Sequence, residues 1–63
     1  MKYEQIVALW KTGYSKKYII DMEYHSLKAS GFFKRESAKQ LKQLAFKNVE
    51  DTLLSEYRTR YLS

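Results

Sequence analysis

Apolar residues recur near the start of the chain with the spacing of an amphipathic helix. The residues that share the i, i+3, i+4, i+7 pattern of one helical face are Tyr3, Ile6, Val7 and Trp10. Gly13 follows, where a glycine can take the left-handed conformation that ends a helix. The pattern predicts a helix over about residues 2–12, with Trp10 largely buried and Tyr3 part of the core.

A second helix is predicted to begin after Ser15, because a serine hydroxyl can accept a hydrogen bond from an unpaired backbone N–H at a helix start. Ile19 and Met22 continue one apolar face, within an arc that is broad for a surface helix. We therefore expect this helix to be either central in the fold or interrupted near Tyr24. Its end is expected between Glu23 and Ser30, and the pair Ser30–Gly31 closes it.

A third helix is predicted to begin between Phe32 and Ala38. Ser37 followed by Gln40 fits a capping box, in which each side chain bonds the other residue's backbone N–H. The apolar residues expected on its inner face are Ala38, Leu41, Leu44 and Ala45.

The pattern also predicts a break near Asn48. At about 100° per residue, the apolar centre of residues 38–45 does not line up with that of Val49, Leu53 and Tyr57. Asn48 is also followed by Glu50 and Asp51, and acids are typical of a first helical turn. A fourth helix over about residues 49–61 is the prediction, and a single kinked helix is the alternative.

These segments together predict an all-α fold: a compact bundle of three or four helices in a single domain over residues 1–63. Proline is absent, and the only glycines are Gly13 and Gly31. No segment alternates apolar and polar residues in the way that a strand requires. A chain this short buries little core, so an oligomer or a tight partner would help to stabilise it.

The composition excludes several kinds of site. There is no cysteine, and His25 is the only histidine, which excludes disulfides and zinc fingers. His25 lies one helical turn after Asp21, so we expect a local pair between them. We expect no catalytic residues, no cofactor and no metal. The longest apolar run, residues 6–10, is too short to span a bilayer, and a cytoplasmic protein with a mature N-terminus is predicted.

The positive charge is concentrated in the middle of the chain. The formal net charge is +5. The segment from residue 28 to residue 47 contains one acid, Glu36, and six basic residues: Lys28, Lys34, Arg35, Lys39, Lys42 and Lys47. Concentrated positive charge attracts polyanions, so nucleic acid is the first partner to consider.

Three of these basic residues would lie on one stripe of the third helix. Arg35, Lys39 and Lys42 follow the i, i+4, i+7 spacing, and Phe46 continues the stripe. Such a helix can dock on phosphates, and an arginine can bind guanine through two hydrogen bonds. The alternative is that these lysines only solvate the outer face of the helix.

The stretch from residue 6 to residue 22, IVALWKTGYSKKYIIDM, resembles the helix-turn-helix of small prokaryotic DNA-binding proteins. The resemblance places Gly13 in the turn. It implies these buried positions: Ala8, Tyr14, Ile19 and Met22. It implies these groove-facing residues: Ser15, Lys16, Lys17 and Asp21. A helical hairpin that does not bind DNA is one alternative. A recombinase-like register, with a second motif helix that begins near His25, is another.

Two functions follow as hypotheses. The first is a small basic DNA-binding regulator or accessory factor of a phage or mobile element, with double-stranded DNA as its partner. Its predicted nucleic-acid-binding residues are Lys16, Lys17, Lys34, Arg35, Lys39 and Lys42.

The alternative function is a helical inhibitor or adaptor that docks on an acidic surface of a larger protein. Tyrosines are enriched at interfaces, and the chain has six. The predicted partner-binding residues are Phe46, Leu53, Tyr57 and Tyr61. We also expect a homodimer through the C-terminal helix, where Leu53, Leu54, Tyr57 and Tyr61 present more apolar surface than a small bundle needs to cover.

Overall fold

A computed structural model of the protein describes residues 1–31 and 37–61. These residues contain three α-helices. Helix α1 spans Tyr3–Thr12, α2 spans Lys16–Ala29 and α3 spans Ala38–Tyr61. Within those two ranges there is no strand. The predicted all-α fold is confirmed, and the described residues form a bundle of three helices.

The helix ends lie where local chemistry predicts them. Gly13 takes a positive φ of 108°, and the N–H groups of Gly13 and Tyr14 donate to carbonyls of the last turn of α1. The hydroxyl of Ser15 accepts a hydrogen bond from the backbone N–H of Tyr18 at 3.1 Å. Ser37 and Gln40 form the predicted capping box, with reciprocal bonds of 3.2 and 3.0 Å.

We expect an alanine at Gly13 to lower the free energy of unfolding by about 1–2 kcal/mol, because an L-residue is strained at positive φ. A Cβ at this position would meet no atom within 4 Å, so a steric clash adds nothing. Urea denaturation measures the loss. The control is a synthetic chain with D-alanine at position 13, which accepts positive φ and should be at least as stable as the natural protein. Equal destabilisation by both alanines would contradict this account.

The core consists of two apolar clusters that α2 connects. One contains Ile6 of α1, Ile19 of α2 and Val49 of α3. The other contains Leu27 of α2 with Leu41 and Ala45 of α3. The contact between α2 and α3 is the most extensive in the bundle. Helix α2, like α3, contributes to both clusters, and it continues without a break through Tyr24. The second predicted possibility, an interruption near Tyr24, is therefore wrong.

The predicted break near Asn48 is wrong, because Asn48 lies inside α3, which runs unbroken over 24 residues from Ala38 to Tyr61. The buried residues Leu41, Ala45 and Val49 follow one another every four positions, so the buried face turns by about 40° at each step. Helix α2 covers the first part of this face, and α1 joins α2 over Val49. An unbroken helix can turn its apolar face because different helices cover its two halves.

The prediction that Trp10 is largely buried is also wrong. Its side chain is 47% exposed, and Tyr3 is 44% exposed. Only Ile6 and Val7 of the predicted α1 face are buried. Helix α1 has 10 residues and its central turn covers the core. Ala38, predicted on the inner face of α3, is exposed in its first turn.

A buried carboxylate on α2 binds both Met1, which precedes α1, and the middle of α3. Glu23 of α2 is 2% exposed. It accepts hydrogen bonds from the amino group of Met1 at 2.5 Å and from Nδ2 of Asn48 at 3.4 Å. The hydroxyl of Ser26 accepts a further bond from the Met1 amino group at 3.2 Å. Asn48, predicted to cap a fourth helix, instead bonds to the core carboxylate from the middle of α3.

Candidate nucleic-acid interface

Exposed lysines of α2 and α3 meet on one side of the molecule. Lys17 and Lys42 line a groove between the two helices, together with Tyr18. Lys42 also lines a second groove along α3 with Lys39 and Phe46. Because Lys42 lies in both grooves, they form one continuous surface. We call it the basic face. It comprises Tyr14, whose ring stacks on Tyr18, and five residues that line the grooves: Lys17, Tyr18, Lys39, Lys42 and Phe46.

Aromatic rings lie among these lysines. Tyr14 and Tyr18 are stacked, with ring centroids 4.7 Å apart and planes 15° from parallel. Phe46 is about as exposed as either of them. The turn at Gly13 places Tyr14 just before α2, and Tyr18 lies one helical turn later. The stacked pair therefore presents exposed aromatic surface, and Tyr18 lines the same groove as Lys17.

The lysines of the basic face keep most of their positive charge unpaired. In the described part of the chain, Lys17 and Lys39 form no ion pair. The ammonium of Lys42 lies 5.7 Å from the ring centroid of Tyr24, a distance at which a cation is attracted to the ring face. This contact orients Lys42 without neutralising it.

Acidic charge in this region is limited and local. Asp21 is the only acid among the described residues that line the two grooves. Its carboxylate lies 3.6 Å from Nε2 of His25, which is the local pair predicted from their spacing. Both side chains are well exposed, so this pair contributes little to stability. The basic face therefore keeps an excess of positive charge.

Lys16 has a different environment from Lys17. Its ammonium donates to a carboxylate oxygen of Glu50 on α3 at 2.6 Å and lies 5.3 Å from the ring centroid of Phe46. It joins the start of α2 to α3 and supports the edge of the basic face. The assignment of Lys16 to nucleic-acid binding stays a prediction. A phosphate would have to compete with the Glu50 carboxylate for the Lys16 ammonium.

Two predicted nucleic-acid-binding residues, Lys34 and Arg35, lie outside the described residues, as does Glu36. The expectation that Arg35 binds guanine therefore stays a prediction. Within the described part of the predicted stripe, Lys39, Lys42 and Phe46 do share one surface of α3.

The structure agrees with the helix-turn-helix resemblance in the turn but not in the burial pattern. Gly13 makes the turn, and Ile19 is fully buried as implied. Tyr14 and Met22 are 44% and 38% exposed, and Ala8 is exposed, so these three implied positions are wrong. The recombinase-like register is wrong too, because α2 continues through residue 25 without a break.

Three of the four predicted partner-binding residues, Leu53, Tyr57 and Tyr61, line one groove with Trp10. Phe46 belongs to the basic face. Leu53 is partly buried and packs against the core cluster of Ile6 and Val49. Tyr57 and Tyr61 are exposed near the end of α3, beside Trp10.

The sequence did not predict that Tyr14 and Tyr18 belong to the basic face. The signal for it was available, because the two tyrosines are four residues apart on either side of Lys17.

The described residues contain no group of three or more metal-ligating side chains close enough to hold a metal ion. Among the same residues, no helix combines the length and the apolar character that crossing a membrane requires. Comparison with known proteins finds no matching family model, no similar curated protein and no similar solved structure.

Proposed function

We propose that this protein binds nucleic acid, with double-stranded DNA as the partner, through the basic face. The observation that carries the proposal is the position of Lys42 in both grooves. Two clusters that are separate in the sequence, at the start of α2 and on α3, thereby act as one surface. A role as a regulator or accessory factor of a phage or mobile element belongs to this proposal and rests on the small size and helical architecture alone.

Binding on this surface would be electrostatic first. Each ammonium group that neutralises a phosphate releases a condensed counterion, which makes the affinity depend on salt. The N-terminus of α2 adds partial positive charge beside Lys17, because its first backbone N–H groups lack partners within the helix. The exposed rings of Tyr18 and Phe46 can then contact sugars of the DNA backbone.

The salt dependence of DNA binding tests this proposal. We expect Lys17→Ala, Lys39→Ala and Lys42→Ala each to weaken binding to a random-sequence duplex and to reduce the slope of log K against log salt by roughly 1. Fluorescence anisotropy over a salt series measures both quantities. Lys2→Ala is the matched control, because Lys2 is an exposed lysine outside the basic face. Its slope should equal that of the natural protein.

Two outcomes would contradict the proposal. If the natural protein does not bind duplex DNA at low salt, the alternative function remains, in which the protein docks on an acidic surface of a larger protein. Exposed aromatic residues among lysines also suit such a partner. Equal slopes for Lys42→Ala and Lys2→Ala would move the DNA contact away from the basic face.

A further inference from the structure

A second exposed surface lies at the other end of α3. Four large apolar side chains are between 47% and 65% exposed there: Trp10, Leu54, Tyr57 and Tyr61. We call this surface the apolar end. The rings of Tyr57 and Tyr61 contact each other with centroids 4.9 Å apart, and Trp10 lines a groove with both of them. Clustered exposed apolar side chains of this kind mark interaction sites.

The charges around the apolar end are balanced, in contrast to the basic face. From residue 50 to residue 61, α3 carries the acids Glu50, Asp51 and Glu56 and the bases Arg58 and Arg60. Lys11 of α1 lies 3.5 Å from Glu56. Two copies of a chain with a net charge of +5 repel each other through their basic faces. They can approach through the apolar end without that cost.

The charges also have the order that a two-fold contact requires. A shallow groove on α3 has Asp51 towards one end, Leu54 in the middle and Arg58 towards the other end. In an antiparallel pair of α3 helices centred between residues 54 and 55, Asp51 of each copy would lie opposite Arg58 of the other. A self-complementary surface of this kind is what an isologous dimer uses.

We infer that the apolar end binds a second copy of this chain, in an antiparallel α3–α3 pair with Leu54 next to the two-fold axis. Trp10, Tyr57 and Tyr61 form one flank of the contact. The basic faces then lie at opposite ends of the dimer. Lys42 is about 19 Å along the helix from the centre, which puts the two Lys42 residues about 38 Å apart at 1.5 Å per residue.

This spacing deepens the proposed DNA-binding function, on which it rests. Dimeric DNA-binding proteins contact half-sites about 34–36 Å apart, one turn of the double helix. A dimer of the inferred geometry would therefore place both basic faces on one side of a duplex. The dimer contact itself does not depend on DNA and can be tested without it.

Sedimentation equilibrium without DNA tests the contact, over about 1 to 200 µM protein so that mass action is visible. We expect the mass to rise with concentration from 7.6 kDa towards twice that value. Leu54→Glu should remain monomeric. Phe46→Glu is the matched control, because Phe46 is 49% exposed and Leu54 is 48% exposed. It should dimerise like the natural protein.

Charge reversal tests the antiparallel register. Asp51→Arg and Arg58→Asp should each weaken dimerisation by about tenfold, because each puts two like charges opposite one another. The double variant restores opposite charges and should restore the affinity. A natural protein that stays monomeric over the whole range would overturn the inference and leave the apolar end to a different protein. Failure of the double variant to recover would overturn the register.

DNA then separates the two proposals. A duplex of about 24 base pairs is long enough for two half-sites, and on it Leu54→Glu should bind about tenfold more weakly than the natural dimer. On a duplex of about 12 base pairs, which holds one half-site, the two proteins should bind equally. Equal binding on both lengths, with the dimer intact in sedimentation, would overturn the half-site geometry. If the natural protein dimerises in sedimentation but binds neither duplex, the result would contradict the proposed function and leave the dimer contact standing.

Discussion

Replacing Glu23 with alanine should lower the free energy of unfolding by about 3 kcal/mol. The carboxylate is 2% exposed and accepts bonds from the Met1 amino group and from Asn48. Alanine removes both acceptor oxygens and leaves the amide of Asn48 without its partner in a part-buried place. It also leaves a cavity where the side chain packed. Urea denaturation followed by circular dichroism measures the effect.

Two further variants separate the hydrogen bonds from the loss of volume. Glu23→Gln keeps the size and one acceptor, so it should cost less, about 1–2 kcal/mol. Glu4→Ala is the matched control on the surface of α1, where Glu4 is exposed, and it should cost less than about 1 kcal/mol. An unfolding midpoint for Glu23→Ala equal to that of Glu4→Ala would show that the bonds from Glu23 to Met1 and Asn48 do not stabilise the fold.

Removing all three lysines of the basic face should weaken binding to random duplex DNA on the order of 100-fold or more near 0.1 M salt. Lys17, Lys39 and Lys42 are exposed, so their replacement by alanine should leave the helical content unchanged. Three phosphate contacts would be lost, and the salt slope should fall by roughly 3. Anisotropy titrations at several salt concentrations measure both changes.

The control for the triple variant removes the same charge elsewhere. Lys2, Lys11 and Lys47 are three other exposed lysines, and their combined replacement by alanine takes the net charge from +5 to +2, as in the basic-face variant. If binding depends on the basic face, the control should retain most of its affinity. Equal losses in the two variants would mean that net charge alone attracts DNA.

Features set by a few neighbouring residues could be predicted from the sequence. Gly13 ends α1, Ser15 begins α2, and Ser37 with Gln40 begins α3 as expected. Each depends on a backbone conformation or a hydrogen bond within three residues. The pairing of His25 with Asp21 is equally local.

Features that depend on which helices cover a surface could not be predicted in this way. Trp10 has the right spacing for a buried residue, but it lies beyond the part of α1 that covers the core. Asn48 has the chemistry of a helix cap, yet it lies within α3, because α2 covers the first part of the apolar face of α3 and α1 joins α2 over Val49. Glu23 is buried because donors from residues 1 and 48 reach it, and no local pattern contains that information.

The candidate site divides in the same way. The sequence alone determined a helical protein with its excess positive charge between residues 28 and 47, because charge and helical periodicity are properties of the chain. It also predicted Lys17, Lys39 and Lys42 among the nucleic-acid-binding residues. Only the tertiary structure decided that these lysines share one surface with Tyr14 and Tyr18, and that Lys16 turns to Glu50. The packing of α2 against α3 sets those distances, and it depends on contacts between residues more than 20 positions apart in the sequence.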